Sequence, residues 1–344
     1  MASAIPLTTM LTWTWIAFVM EADNTVEAAG TEHVRRLFPV SLAMWANGLR
    51  LISEEGITVQ ELRVRAGAAC NLGGLERWGW ITVGSAGEGR RPGYGTQRSL
   101  KADTVLRPTR AGVFARRVWP AVLAEVERRW RSRFGHRAID SLRETLAPLA
   151  ERMPWSPPEV HPSDGFLTRV IHGRRPDEST GLPALLGQAL TALTVAREDG
   201  ACASLPLTAN VMRVVDAGVA RIRDLPSQSG VSKEAVAMAT GFMERGRLAE
   251  IQAERSIRLT PGGLEALADY RERAARVEDE ALLAALEEIV SRRDTFAVGL
   301  VPPDGCWRGQ RPYVAQTQRV IADPTAALPW QPMVLHRGGW PDGS

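Results

Sequence analysis

The sequence predicts a mainly α-helical protein built from two tandem copies of one unit, with small β-hairpins set among long flanking helices. Three observations lead there: an internal repeat, helical spacing of the apolar residues inside it, and paired extended runs at the same place in both copies. The matching blocks occur in the same order in each half. Duplication is the simplest account.

The first element is a helix. Leu7, Met10, Leu11, Trp15 and Phe18 recur at a constant offset of 175 as Leu182, Leu185, Leu186, Leu190 and Leu193, which lines one helical face. The uncharged stretch LTTMLTWTWIAFVM is borderline in length for a membrane span, holds four threonines, and follows no Lys or Arg cluster of the signal-peptide kind. Its counterpart LPALLGQALTALTVAREDG lies mid-chain with a polar continuation, so an amphipathic packing helix is expected.

A second helix runs through ANGLRLI (46–52), which matches ANVMRVV (209–215). At the same offset of 163, Val59 and Leu62 fall on Ile222 and Leu225, inside a short third helix at 59–65 or 222–226. The fourth covers about 69–78 in the first copy. In the second it begins at GVSKEAVAMATGFMERG, with Ser232 as N-cap before an apolar 3.6 pattern; Glu244 and Arg245 answer Glu76 and Arg77. Helices three and four make a helix-turn-helix. WITV and TVLRPT in the first copy, and LAEIQAERSIRLT in the second, each read as two strands with a connecting loop. A hairpin directly after a helix-turn-helix is a wing, and GRRPGYGTQR (89–98) is the tip of the first one.

LRPTRAGVFA (106–115) parallels IRLTPGGLEA (257–266) without a gap, so Thr109 and Thr260 start the closing helices. Val122, Val126, Trp130 and Phe134 form an i, i+4 stripe, and Leu264, Leu267, Tyr270, Val277 and Leu286 a looser one. Pro120 is expected to kink or restart the first closing helix. The division that results is 1–153 for the first unit, 154–180 for a Pro-rich linker, 181–294 for the second unit, and 295–344 for a Pro-, Gly- and Trp-rich tail packed as irregular chain.

Composition bounds the partner. With 44% hydrophobic and 24% charged residues the chain can bury ordinary cores. Net charge is only +3 but unevenly spread: 84–137 holds 13 basic and 4 acidic residues, whereas 262–294 holds 9 acidic and 5 basic. One region therefore suits a polyanion. Apart from Lys101 and Lys233, every basic side chain is an arginine, whose fork pairs with phosphate or carboxylate. Cys70, Cys202 and Cys306 are too widely spaced for a metal motif or disulfide framework, which fits a reducing cytoplasm. His33, His136, His161, His172 and His336 are scattered, and GSAGEGRRPGYG lacks the Walker pattern and is followed by a strand. No enzymatic activity, cofactor or metal is expected.

GVSKEAVAMATGFMERGRLAEI followed by ERSIRLTPGGLEAL resembles the recognition helix, wing exit and following helix of the MarR family of winged-helix transcription regulators. ITVQELRVRA, LERWGWITV and LRPTRAGVFA carry the resemblance in the first copy. The whole chain, to its PMVLHRGGWPDGS ending, is similar to a group of such regulators with two winged helices in one polypeptide. The resemblance implies duplex DNA as the partner, regulation of transcription as the function, and a monomeric pseudo-dimer or a homodimer as the assembly.

Phosphate contacts are assigned to Arg90, Arg91 and Arg98 on the glycine-rich first wing, with Arg255 on the second. Base or groove contacts are assigned to Asn71, Arg77, Ser232, Lys233 and Thr240. The second copy departs from the family where Glu234 to Met238 stand in place of polar or basic residues, and its wing offers Arg255 as sole basic residue. Weak base readout follows. Regulators of this type answer to a small ligand between the helical region and the winged helix. Here Trp13, Trp15, Trp45 and Trp119 are candidate pocket walls for an apolar or aromatic effector, with core packing the competing role. The alternative function is a winged helix used for protein-protein or small-molecule binding, with weak or no specific DNA readout.

Overall fold

In a computed structural model of the chain, the described residues are helical positions among 7–25, then 46–66, 72–77, 79–84, 100–151, 181–198, 205–216, 218–229, 233–276 and 279–291. The proposed linker at 154–180 and tail at 295–344 lie outside them. The described part is mainly helical, with small antiparallel sheets.

The chain runs α1 (helical positions among 7–25), α2 (Ala46–Leu49), β1 (Ile57–Thr58), α3 (Val59–Ala66), α4 (Leu72–Arg77), β2 (Ile81–Val83), β3 (Val105–Pro108), α5 (Arg110–Phe134) and α6 (His136–Glu151). It continues as α7 (Leu182–Glu198), α8 (Leu205–Val215), β4 (Ala220–Arg221), a 3-10 turn (Ile222–Asp224), α9 (Leu225–Ser229), α10 (Lys233–Arg245), β5 (Ala249–Ile251), β6 (Ser256–Leu259), α11 (Pro261–Arg276) and α12 (Glu280–Val290). The strand orders are β1-β3-β2 and β4-β6-β5. Their registers correspond: Ile57 and Val83 face Leu106, as Ala220 and Ile251 face Ile257. The two-residue strands β1 and β4 escape the sequence reading because they are too short to show alternation.

The corner after each fourth helix is repeated bond for bond. Gly79 N donates to Glu76 O and Trp80 N to Leu75 O, just as Arg247 N donates to Glu244 O and Leu248 N to Met243 O. The turning residue has positive φ in both, 74° at Gly79 and 57° at Arg247. Thr109 Oγ1 donates to Gly79 O at 2.6 Å and accepts from Gly112 N at 3.1 Å. Thr260 Oγ1 does the same with Arg247 O at 2.7 Å and Gly263 N at 3.1 Å. Each threonine thus caps a helix and ties it to the corner.

Among the described residues, two hydrophobic cores result. Leu7, Met10, Leu11, Trp15 and Phe18 of α1 are all buried, and so are their repeats Leu182, Leu185, Leu186, Leu190 and Leu193 of α7, in the same core as the α5 stripe Val122, Val126, Trp130 and Phe134. Phe18 and Phe134 meet Trp130 edge-on, with ring centroids 5.1 and 5.3 Å away. A methyl group at Gly187 would stand 3.5 Å from Trp15 Nε1, so α1 meets its own repeat. Leu282, Leu286 and Ile289 of α12 complete this core. The second core is local, holding Val211, Met212, Leu225, Val236, Met243, Ile257, Leu267 and Tyr270.

Ion pairs lock the helical layer. The buried Glu21 carboxylate accepts from Arg129 Nε at 2.8 Å, Trp130 Nε1 at 3.0 Å and Arg133 Nη1 at 3.0 Å, joining α1 to α5. Glu127 accepts from Arg143 Nη1 of α6 at 3.1 Å and from Leu182 N at 3.2 Å, so α5 caps the start of α7.

Three expectations need correction. Helix α5 runs unbroken through Pro120; the break falls at Gly135, where φ is 96°. Leu264 is 51% exposed, because the closing helix of the second unit presents Leu267 and Tyr270 inward instead. Leu286 belongs to a separate helix, since α11 ends at Arg276 and Asp279 caps α12 by accepting from Leu282 N at 3.0 Å.

Candidate nucleic-acid interface

The helix pair and hairpin of each unit set the positions of the assigned residues. In the first unit, α3 starts with a capping box: Glu61 Oε2 accepts from Thr58 N at 2.9 Å and Thr58 Oγ1 at 2.8 Å, while Glu61 N donates back to Thr58 Oγ1 at 3.2 Å. These bonds, the backbone N–H of Thr58 first, hold the Glu61 carboxyl below its ordinary pKa. A folded pKa below the unfolded one means this contribution is present at neutral pH and is lost as pH falls through the folded value. A Glu61 titration midpoint below that of a free glutamate is the expected NMR result. Helix α3 leaves Arg63, Val64 and Arg65 exposed.

Arg77 ends α4 and Lys233 opens α10, while their side chains, like Asn71, Ser232, Arg90, Arg91 and Arg98, lie outside the described residues. Thr240 is a correction. It is 5% exposed, and its hydroxyl donates to Val236 O at 2.8 Å, so it satisfies itself inside α10 and faces the second core rather than a base edge. The outward residues of α10 include Ala237, Glu244 and Arg245.

The basic excess at 84–137 is also smaller at the surface than its count. Arg129 and Arg133 pair with Glu21, Arg131 with Asp140 at 2.6 Å, and Arg128 with Glu125. Lys101, Arg110, Arg117 and Arg137 are exposed.

The hairpin of β5 and β6 closes in a four-residue turn. Gln252 N donates to Ser256 O at 2.8 Å and Arg255 N to Gln252 O at 3.0 Å, with Arg255 at φ 54°. Arg255 is exposed, and it is not alone. Strand β4 lays Arg221 opposite Ser256, and Ile222 N donates to Arg255 O at 3.0 Å, which brings Arg221 and Arg223 beside the turn. Sequence reading placed Arg223 in the short third helix at 222–226 but missed both arginines, because β4, which pairs this segment with the turn, is too short to predict; the offset of 163, which puts Arg221 on Thr58, was the available signal.

Trp15 and Trp119 are 0% and 2% exposed and pack in the first core; Trp13 and Trp45 lie outside the described residues. Among the described residues, no group of three or more His, Cys, Asp or Glu is placed to hold a metal ion. No described helix is long and apolar enough to cross a membrane. Family models, curated proteins and solved structures were compared with this chain, and none matches it.

Proposed function

We propose that this chain is a cytoplasmic DNA-binding transcription regulator made of tandem winged helix-turn-helix units. It grips duplex DNA mainly through backbone phosphates and carries out no chemistry. The observation behind this reading is the repeated helix pair and hairpin, matched in strand register and in corner hydrogen bonds. The likeness of both copies to the MarR family supports it, as does the contact between α1 and α7, which suits a covalent pseudo-dimer with half-sites about one helical turn apart.

The test is a mobility-shift titration against the DNA upstream of the coding sequence, repeated over a salt series. Binding is expected to weaken as salt rises, and replacing Arg90, Arg91 and Arg98 by alanine is expected to flatten the salt slope by up to about 0.9 for each phosphate no longer neutralised. An unchanged slope would remove the first wing from the interface.

A second reading is favoured by the inward Thr240 and the outward Ala237 on α10, which leave little for base edges. In it the winged helix binds a protein or a small apolar or aromatic molecule. Trp80 Nε1 and Trp119 Nε1 are buried N–H donors with no acceptor among the described residues, which a ligand with an acceptor group would satisfy. Retention of DNA at low salt separates the two readings.

A further inference from the structure

We propose that the corner where β4, the 3-10 turn and the 252–255 turn meet binds the phosphodiester backbone of nucleic acid through Arg221, Arg223 and Arg255. This rests on the DNA-binding reading and names a contact site within the second unit. Three features carry it.

The first is convergence. Register places Arg221 opposite Ser256, and the Ile222 N to Arg255 O bond of 3.0 Å joins the 3-10 turn to the 252–255 turn, so three elements bring three arginines to one end of the sheet. All three are exposed. Their acidic neighbours are Glu254 in the turn and Asp224, which stands 3.6 Å from Arg223 Nε. That pair is long and solvated, with 73% of the Arg223 side chain exposed, so it holds the arginine only weakly and leaves its fork free to turn to a phosphate.

The second is the contrast with the other copy. The counterparts of Arg221, Arg223 and Arg255 are Thr58, Gln60 and Thr104. Thr58 closes a capping box with Glu61, whereas Arg221 makes no side-chain cap, and the chain after it winds as a 3-10 turn before α9 begins. A local stabilising device in one unit is therefore replaced by a cation in the other.

The third is backbone strain. Arg255 holds φ 54°, a region where glycine would be at ease and an arginine is not. Arg247 holds a like φ of 57° at a corner where Gly79 stands in the other unit, so the strain counts at Arg255 because that arginine also joins the cluster. Arg255→Gly should therefore raise the urea midpoint of unfolding while lowering affinity for DNA.

The experiment is fluorescence anisotropy of a labelled random-sequence duplex with the full chain across a salt series. Arg221→Ala with Arg223→Ala is expected to weaken binding about tenfold or more at low salt, and to reduce the salt slope by about 0.9 for each phosphate that loses its arginine. The control of equal charge, Arg128→Ala with Arg276→Ala, should leave the slope unchanged. Arg221→Lys with Arg223→Lys should restore the slope while recovering only part of the affinity, since lysine keeps the charge without the fork. If the native chain binds the duplex and the two arginine-to-alanine pairs behave alike, the corner is not a site and the DNA reading stands. If the native chain does not bind the duplex at all, the DNA reading falls and takes this site with it.

Discussion

Gly263→Ala is expected to destabilise the second unit by about 3 kcal/mol, at the top of the usual range for overpacking. A methyl group there would lie 1.9 Å from Leu248 O and 2.9 Å from Leu248 C, and both atoms are backbone. They cannot swing aside, because Leu248 N and O are each committed, to Met243 O and to Thr260 N. Gly112→Ala should cost the first unit a similar amount, with its methyl 2.1 Å from Trp80 O. Urea unfolding of both variants reads the result. Gly187→Ala is the control, since its methyl meets Trp15 at ordinary contact distance and should change little. A large loss at one glycine and none at the other would mean that the two corners are not built alike.

The second large effect is expected at Glu21. Removing its carboxylate with Glu21→Ala leaves Arg129, Arg133 and the Trp130 indole N–H facing one another without their shared acceptor. Breaking a buried ion network from one side costs about 3 to 5 kcal/mol, and the lower end applies here because the arginine side chains are 21% and 22% exposed. Replacing Glu21, Arg129 and Arg133 together by apolar residues should recover much of that loss, as no charge is then stranded. Thermal unfolding of the single and triple variants decides it: a triple variant no better than Glu21→Ala would show that the charges, not the packing, hold α1 on α5.

The repeat made most of this fold legible. Thr109 and Thr260 mark their helix starts, the α1 and α7 stripes are buried at each matched position, and the strand pairs of both hairpins fall where WITV, TVLRPT and LAEIQAERSIRLT put them. Periodicity works there because each element has one face in a core. It fails where only tertiary context decides. Leu264 fits the helical stripe but looks outward, since α11 turns a neighbouring face to the core. Pro120 lies on the exposed side of α5, and the helix continues past it.

The candidate interface was less legible for the same kind of reason. Thr240 reads as a polar group on a recognition helix, yet a hydroxyl one turn from a backbone carbonyl closes on it and goes inside. A run of arginines reads as a patch, yet Glu21 from a distant stretch of chain and Asp140 from the following helix neutralise part of it. Arg221 and Arg223 were overlooked because their partner in space, Arg255, is more than thirty residues away.

Thr58 in one half and Arg221 in the other show what a fused arrangement permits. In an assembly of identical subunits every substitution is written twice, so a gain for one half is imposed on its sibling. Here each half drifts on its own, and if the proposed DNA binding holds, a target lacking palindromic sequence would suit a chain whose two hands are not alike.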